Sequence, residues 1–185
     1  MSGRAEARTI LRALLACYLR AEPEAIEFAI GPHGKPDLVT SRGHASPLQF
    51  NMSHTRDLAL YAVARELSVG VDVERPRPGL DTVRLARRFI TAPEADRIAG
   101  LAAPERDVAF LVAWVRHEAT VKCLGTGIGA ADLAALPSDA MPWVDELDPG
   151  DGAAAAIAAA APPDAIRLWQ WRSRGTAEGQ NPADS

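Results

Sequence analysis

A run of valines that carries two carboxylates, Val69–Glu74, restricts how this chain can fold more than any other segment. Side chains two residues apart point to the same face of a strand, so Asp72 and Glu74 project side by side while the valines face the other way. Prolines at positions 76 and 78 follow, and proline cannot donate to a ladder. The run therefore predicts a strand with a buried apolar face, a face of two carboxylates, and an end at the loop 75–79.

The paired carboxylates of this strand suit a hard divalent cation. Adjacent carboxylates repel each other and raise each other's pKa unless a cation lies between them. Ligand sets made only of oxygen favour Mg²⁺ or Mn²⁺ over zinc. A solvated strand face that ends in a loop also explains the two residues, so both interpretations stay open at this point.

The longest helical pattern covers residues 105–124 and places a second set of polar groups on one stripe. Trp114, Glu118 and Lys122 recur every four residues, which aligns them along one side of a helix. Gly125 follows as a C-cap residue. If the fold brings this stripe to Asp72, the groups together suit a metal and a phosphate. The alternative is a core tryptophan followed by an exposed Glu–Lys pair.

The rest of the chain alternates helices and strands without a visible repeat. Apolar residues at three-four spacing predict two more helices, over residues 5–20 and 82–89. Residues 91–94 have the layout of a capping box for a further helix. Alternating residues predict strands over 24–30, 58–64 and 69–73. The last two are predicted to pair as a hairpin around residues 65–66.

The alanine-rich segment 153–161 allows two interpretations. Its eight alanines around Ile157 predict a helix by propensity alone. Strand-like segments on either side, at residues 143–144 and 166–171, predict a strand meander instead. The polar segment 175–185 is predicted to be a disordered tail.

Composition excludes several classes of protein. The chain has 185 residues, enough for one domain or two small lobes, and its hydrophobic content of 48% supports a core. A formal net charge of −4 argues against nucleic acid as a bulk partner. No run of about 20 apolar residues is present, which predicts no membrane span. Cys17 and Cys123 are interpreted as small core residues in a reducing compartment, and a cytoplasmic monomer is expected.

Two further short motifs contain groups that bind anions. Gly34-Lys35-Pro36 offers backbone donors and a cation to an anion or to the edge of a purine. Asn51, Ser53 and His54 cluster an amide, a hydroxyl and an imidazole, which either hold a phosphate or build an Asx-type turn.

The order of these motifs resembles a known family. The matching text is Gly34-Lys35-Pro36, then Phe50-Asn51-Met52-Ser53-His54, then Gly70-Val71-Asp72-Val73-Glu74, and finally Trp114, Glu118-Ala119 and Lys122. These four ordered motifs resemble those of the 4′-phosphopantetheinyl transferase superfamily, in its larger, two-lobed type. The resemblance implies an α+β fold of two similar lobes packed as a pseudo-dimer, with residues 1–75 and 76–174 as the lobes.

The resemblance also implies an activity. Members of the family transfer 4′-phosphopantetheine from coenzyme A to a serine of an acyl or peptidyl carrier protein and release 3′,5′-ADP. The chain is therefore expected to be a Mg²⁺-dependent (or Mn²⁺-dependent) transferase of the holo-[acyl-carrier-protein] synthase type. Such enzymes act in fatty acid, polyketide or nonribosomal peptide synthesis.

Roles for individual residues follow from the same resemblance. Asp72, Glu74 and Glu118 would hold the metal against the pyrophosphate. Lys122 would bind the phosphate that is attacked, and Glu118 would take the serine proton, directly or through a metal-bound water. The residues that would contact coenzyme A, together with Asp72, Glu118 and Lys122, are Arg8, Lys35, Pro36, Asn51, Ser53 and His54.

Two features depart from the family pattern. His117 stands where the family usually has a lysine, which predicts weaker contacts with phosphate or carrier protein. Relatives also have a further strand and helix ahead of the segment that matches residues 5–19. The first lobe is therefore expected to be shortened at its N-terminus, with an exposed strand edge.

The carrier protein requires a surface of its own. Carrier proteins are generally acidic around their serine, so the transferase needs local positive charge. Arg84, Arg87 and Arg88 supply it on the predicted helix 82–89, which we expect to dock the carrier. Two other functions stay open: a non-catalytic binder of coenzyme A or nucleotide, and a Mg²⁺-dependent phosphohydrolase that uses water with the same carboxylates.

Overall fold

The computed structural model describes residues 3–31, 33–39, 46–125, 133, 136–150 and 152–171, which form an α+β fold as predicted. The helices are α1 (Gly3–Leu19), α2 (Thr82–Phe89), α3 (Ala92–Ala99) and α4 (Ala103–Leu124). The strands are β1 (Glu27–Ile30), β2 (Pro36–Val39), β3 (Leu48–His54), β4 (Ala59–Arg65), β5 (Val69–Glu74), β6 (Trp143–Leu147) and β7 (Ala154–Ala159). Single 3₁₀ turns lie at Pro23–Ala25 and Ser138–Ala140.

Within these residues the strands pair antiparallel in the orders β1-β2, β3-β4 and β5-β7-β6. The predicted hairpin between β4 and β5 is wrong, because β4 pairs with β3 and β5 pairs with β7. The other edge of β5 meets side chains instead of a backbone ladder. The amide of Val71 donates to Asn51 Oδ1 at 2.9 Å, and the amide of Val73 donates to Ser53 Oγ at 3.3 Å. Two side chains of β3 thus join β5 to the β3-β4 sheet.

The alanine strand β7 allows α4 to lie very close to its sheet. β7 is the central strand, paired with β5 on one side and β6 on the other. Ala156 and Ala158 are fully buried in one cluster with Ala119 of α4. A Cβ added to Gly70 of β5 would lie only 2.0 Å from the carbonyl oxygen of Ala119. Of the two interpretations of residues 153–161 the strand is correct, because burial between two partners overrides the helix propensity of alanine.

The buried apolar residues form several separate clusters. One cluster joins α1 to β2, β3 and the residue before β1, and it consists of Leu11, Leu15, Ala16, Ile26, Leu38, Leu48 and Phe50. Others join α4 to α2 and α3 and to the β5-β7-β6 sheet. The predicted lobe boundary between residues 75 and 76 would separate β5 from β7, the strand with which it pairs, and this division stays a prediction.

The structure confirms some of the predicted helix bounds and caps and contradicts others. α2 spans the residues predicted for it, and Gly125 ends α4 with a φ of 73°, as its C-cap position requires. α3 begins directly after Thr91, but Thr91 makes no side-chain cap hydrogen bond. The predicted capping box is therefore wrong. Glu94 pairs instead with Arg97, one turn along the helix, at 2.7 Å.

Several smaller predictions also had different outcomes. Cys123 is buried as expected, whereas Cys17 is exposed on α1 and is not a core residue. Residues 166–171 form no strand, and Leu168 and Trp169 in this segment are largely exposed. The predicted tail 175–185 lies outside the described residues. In the described part of the chain, each helix is too short or too polar to span a bilayer.

Candidate active site

A cleft of about 630 Å³ lies where α1, the turn between β1 and β2, β3, β5 and α4 meet. It collects most of the residues that the sequence indicated: Arg8, Pro36, Asn51, Ser53, His54, Asp72, Glu74, Glu118 and Lys122. Trp114 also lines the cleft, so all three members of the predicted helix stripe face it. The spacing by two on β5 and by four on α4 therefore predicted which side chains of each element share a face.

Asp72 is the centre of a buried polar group in this cleft. The residue is only 3% exposed. Its Oδ1 accepts a hydrogen bond from Ser53 Oγ at 2.7 Å and one from Lys122 Nζ at 2.5 Å. Lys122 Nζ also donates to the carbonyl oxygen of Val71 at 3.3 Å. A buried carboxylate requires such partners, so Ser53 and Lys122 compensate for the burial of Asp72.

Glu118 is the second buried carboxylate of the cleft. It is 3% exposed, and its Oε1 has no hydrogen-bond partner among the described residues. Burial raises the pKa of Glu118 to about 7. The negative charges of Asp72 and, to a smaller extent, Glu74 act in the same direction, while Lys122 opposes them. A carboxylate whose pKa lies near neutrality is suited to accept and return a proton.

The three carboxylates predicted to hold a metal all line the cleft, but they are turned toward different partners. Asp72 faces Lys122, and Glu74 pairs with Arg77 at 2.9 Å. The described residues accordingly contain no group of three or more His, Cys, Asp or Glu side chains that could hold a metal ion. Asp72 Oδ2 and Glu118 Oε1 are nevertheless buried without a hydrogen-bond partner in the described part of the chain. Two such oxygens fit the donor chemistry of Mg²⁺.

Asn51 and Ser53 line the cleft, but their side-chain oxygens form hydrogen bonds within the protein. Asn51 Oδ1 and Ser53 Oγ accept the amides of β5, and Ser53 also accepts from Lys122 Nζ at 3.3 Å. Both residues are buried. The Asx-type turn considered for this motif is wrong, because residues 51–54 belong to β3.

Lys35 lies apart from the other predicted site residues. Its neighbours Gly34 and Pro36 line the cleft, whereas its own side chain reaches behind it. Lys35 Nζ donates to the carbonyl oxygens of Lys122, at 2.9 Å, and Val69, at 3.1 Å. Burial lowers the pKa of Lys35, and the nearby Cys123 and Asp37 partly oppose this.

The sequence did not indicate the apolar side of the cleft or Arg12. Arg12 lies one turn after Arg8 on α1, so a spacing of four was the available signal. Its Nη1 donates to the carbonyl oxygens of Pro23 and Ile26, and its guanidinium lies 5.2 Å from the centre of the Phe28 ring. The apolar residues on this side of the cleft are Leu11, Phe28, Ile30, Phe50 and Met52.

His117 faces a second cleft on the other side of α4. Its ring centre lies 6.1 Å from that of Trp114 and 6.4 Å from that of Phe89. Burial lowers the pKa of His117. The second cleft has a volume of about 960 Å³, and Arg87 and Arg88 of α2 also line it. His117 therefore contributes to the surface beside the predicted docking helix and not to the cleft of Asp72.

Comparison with known proteins identifies the family. The family model of the 4′-phosphopantetheinyl transferase superfamily matches residues 68–171, which is more than half of the chain and includes β5 and α4. The chain belongs to this superfamily. The resemblance inferred from the ordered motifs is thereby confirmed at the level of the superfamily.

Individual members of the superfamily resemble most of the chain. The 4′-phosphopantetheinyl transferase HetI of Nostoc sp. is 35% identical over 163 residues, which cover 83% of this chain and 68% of HetI. The putative 4′-phosphopantetheinyl transferase slr0495 of Synechocystis sp. is 33% identical over 78% of this chain and 58% of its own length. The 4′-phosphopantetheinyl transferase AcpT of Salmonella typhimurium is 33% identical over 62% of this chain and 56% of its own length. The chain thus spans between about half and about two thirds of these relatives.

Proposed function

We propose that this chain transfers the 4′-phosphopantetheine group of coenzyme A to a serine of an acyl or peptidyl carrier protein and releases 3′,5′-ADP. The observation that carries the proposal is one cleft that contains the cations of Arg8 and Lys122 together with the carboxylates of Asp72 and Glu118. Cations suit the phosphates of the donor, and carboxylates suit a metal and a proton transfer. Membership of the superfamily supports the same reaction.

Lys122 is the residue proposed to bind the phosphate that is attacked. Transfer builds negative charge on the oxygens around phosphorus, and a cation fixed beside them stabilises this charge. The ammonium of Lys122 is held by Asp72 at 2.5 Å and by the carbonyl of Val71 at 3.3 Å. Because it is already oriented, little of the interaction energy is lost in ordering the side chain.

Glu118 is the proposed acceptor of the serine proton. The serine oxygen forms a bond to phosphorus while the bond from phosphorus to 3′,5′-ADP breaks, and the proton must leave the serine oxygen. In the metal-free protein, where burial raises its pKa to about 7, Glu118 is partly ionised at neutral pH and is a stronger base than an ordinary carboxylate.

Asp72, Glu74 and Glu118 are the residues proposed to hold Mg²⁺, and Mn²⁺ accepts the same oxygen ligands. The unpartnered buried oxygens of Asp72 and Glu118 support this assignment. When bound, the metal would neutralise charge on the diphosphate of coenzyme A. Arg8 and His54, which line the cleft on α1 and β3, are proposed to contact the 3′-phosphate side, and Pro36 the adenine.

The transfer reaction is tested by weighing the carrier protein. We expect protein, Mg²⁺, coenzyme A and an apo carrier protein to give a carrier whose mass has increased by one phosphopantetheine group. Glu118→Gln should remove most of this activity, because it preserves the shape of the side chain and removes the base. Glu105→Gln, at the exposed start of the same helix, is the matched control and should keep the activity.

Other outcomes of that experiment contradict the proposal. Binding of coenzyme A without a mass gain on any carrier would identify a non-catalytic binder. Release of 3′,5′-ADP in the absence of a carrier would identify a hydrolase.

We also propose that α2 docks the carrier protein. Arg84 and Arg87 are exposed, and neither forms an ion pair within the described ranges, whereas Arg77 is paired with Glu74. Arg88 lies over the ring of Phe89, 4.9 Å from its centre, beside the cleft that contains His117. An acidic carrier would therefore meet unneutralised charge at this helix.

Charge reversal tests the docking proposal. Arg84→Glu with Arg87→Glu should raise the KM for the carrier by about tenfold or more and leave the KM for coenzyme A unchanged. Arg20→Glu with Arg65→Glu, two exposed arginines just after α1 and at the end of β4, is the control for the same change of net charge. A carrier KM that responds no more to the α2 variant than to this control would exclude docking at α2.

A further inference from the structure

Lys35 is a half-buried cation that has no assigned role in the proposed reaction. Its side chain leaves the turn between β1 and β2, and its Nζ ends between two backbone carbonyls, 2.9 Å from that of Lys122 and 3.1 Å from that of Val69. The flanking residues Gly34 and Pro36 line the cleft, but Lys35 does not. The ammonium therefore points away from the place where a nucleotide would bind.

The two acceptors belong to the two elements that carry the polar centre of the cleft. The carbonyl of Lys122 is in the last turn of α4, where backbone carbonyls lack intrahelical partners and the helix dipole favours a cation. The carbonyl of Val69 is at the start of β5, three residues before Asp72. One ammonium thus connects the cleft-lining turn, the end of α4 and the beginning of β5.

The rest of the turn is built to keep Lys35 in this position. The amide of Gly31 donates to the carbonyl of Lys35 at 2.9 Å, and the amide of Gly34 donates to the carbonyl of Gly31 at 3.0 Å. Gly34 has a φ of 82°, which glycine adopts without strain. On the far side, the Cδ of Lys35 lies 3.9 Å from where a Cβ on Gly125 would be, so its stem reaches the C-cap of α4.

We propose that Lys35 is a positioning residue, which ties the Gly34–Pro36 wall of the cleft to the backbone of Lys122 and Val69 and does not contact the nucleotide. The backbone of Lys122 is held from one side by Lys35, while its ammonium is held from the other side by Asp72. The distance between the ammonium of Lys122 and the Gly34–Pro36 wall of the cleft then depends on Lys35. The expected effect on the transfer reaction rests on the proposed function. The contact of Lys35 with the carbonyls of Lys122 and Val69 does not.

The test compares Lys35→Met with Lys35→Arg and with Arg65→Met, an exposed control at the end of β4. Lys35→Met preserves the length of the side chain and removes the donors. Since small misplacements of a catalytic group are costly, we expect kcat to fall by roughly ten- to a hundredfold while the KM for coenzyme A changes by less than about threefold. Lys35→Arg, which can still donate to both carbonyls, should recover part of kcat.

A second measurement tests the contact of Lys35 with the backbone of Lys122 and Val69 without relying on catalysis. Amide hydrogen exchange at residues 123–125 and 69–71 should accelerate in Lys35→Met and stay unchanged in Arg65→Met. A raised KM for coenzyme A with an unchanged kcat would overturn the proposal in favour of a direct nucleotide contact. Unchanged exchange in these segments would overturn it as well. If the parent protein transfers nothing, the proposed function fails, and the exchange measurement still decides whether Lys35 holds α4 to the turn.

Discussion

Gly70 provides the sharpest test of how α4 is positioned on β5. A Cβ at this position would lie 2.0 Å from the carbonyl oxygen of Ala119 and 2.4 Å from the amide nitrogen of Cys123. Both are backbone atoms of α4, so no side chain can rotate away to make room. To bring the shorter distance even to 3.0 Å, the helix must retreat from the strand by about 1 Å.

The cost of Gly70→Ala follows from this geometry. Overpacking a core in which neighbours can yield costs about 1–3 kcal/mol, and here both neighbours are backbone, so we expect about 3 kcal/mol or more. Alanine recovers only about 0.5–1 kcal/mol from the lower backbone entropy of the unfolded chain. For a protein of this size the expected decrease of Tm is about 6–12 °C. The retreat of α4 would also separate Glu118 and Lys122 from Asp72, so transferase activity should fall with stability.

Thermal and urea unfolding followed by circular dichroism measure this effect. Gly100→Ala is the matched control, because the nearest atoms to its added Cβ are at 3.6 and 3.7 Å and its φ is −78°. We expect the control to change the free energy of unfolding by less than about 1 kcal/mol. If Gly70→Ala proved as stable as Gly100→Ala, the close packing of α4 on β5 would be refuted.

Three further predictions concern the cleft. Because the pKa of Glu118 is raised from 4.5 to about 7, the folded metal-free protein binds a proton that the unfolded chain releases, so the free energy of unfolding should fall as pH rises through this range. Urea titrations at about pH 5 and about pH 8 should show this decrease in the parent protein and a smaller one in Glu118→Gln. Asn51→Leu should lower the free energy of unfolding in urea by about 1–3 kcal/mol, because the buried amide of Val71 loses its acceptor. A decrease of less than about 0.5 kcal/mol would contradict this. Chelation of divalent metal should stop transfer, and Asp72→Asn should raise the Mg²⁺ concentration for half-maximal rate at least about tenfold; transfer that continues in chelator would refute the metal assignment.

The residues of the cleft were predictable where a local period fixes the direction of a side chain. Asp72 is two residues from Glu74 on β5, and Glu118 is four residues from Lys122 on α4, so each pair shares a face whatever the rest of the chain does. The ordered motifs then indicated that the two faces meet. Burial was not predictable in the same way: Asp72 is buried because β3 and α4 cover its strand, and neither contact is visible in the run of valines.

Local sequence patterns could not predict which strands pair or where a long side chain ends. The hairpin predicted for β4 and β5 failed because the true partner of β5 is β7, far away in sequence, where alanines favour a helix locally. The family resemblance implies that Lys35 contacts coenzyme A, but a tripeptide motif contains no information about which way a long, flexible side chain turns. Its carbonyl partners at Val69 and Lys122 become apparent only after β5 and α4 have been placed.

The pairing of β5 with β7 also has a consequence for biosynthesis. The ladder joins Glu74 to Ala154, so a nascent chain that has not reached residue 154 exposes one edge of the strand that carries Asp72. Contacts of such long sequence separation form slowly and are completed late. Every residue assigned to the cleft is synthesised before β7, but β5 and α4, which carry Asp72, Glu118 and Lys122, lack their contacts with that strand until it has emerged. A chain truncated ahead of β7 should therefore be inactive although it retains the whole set of site residues.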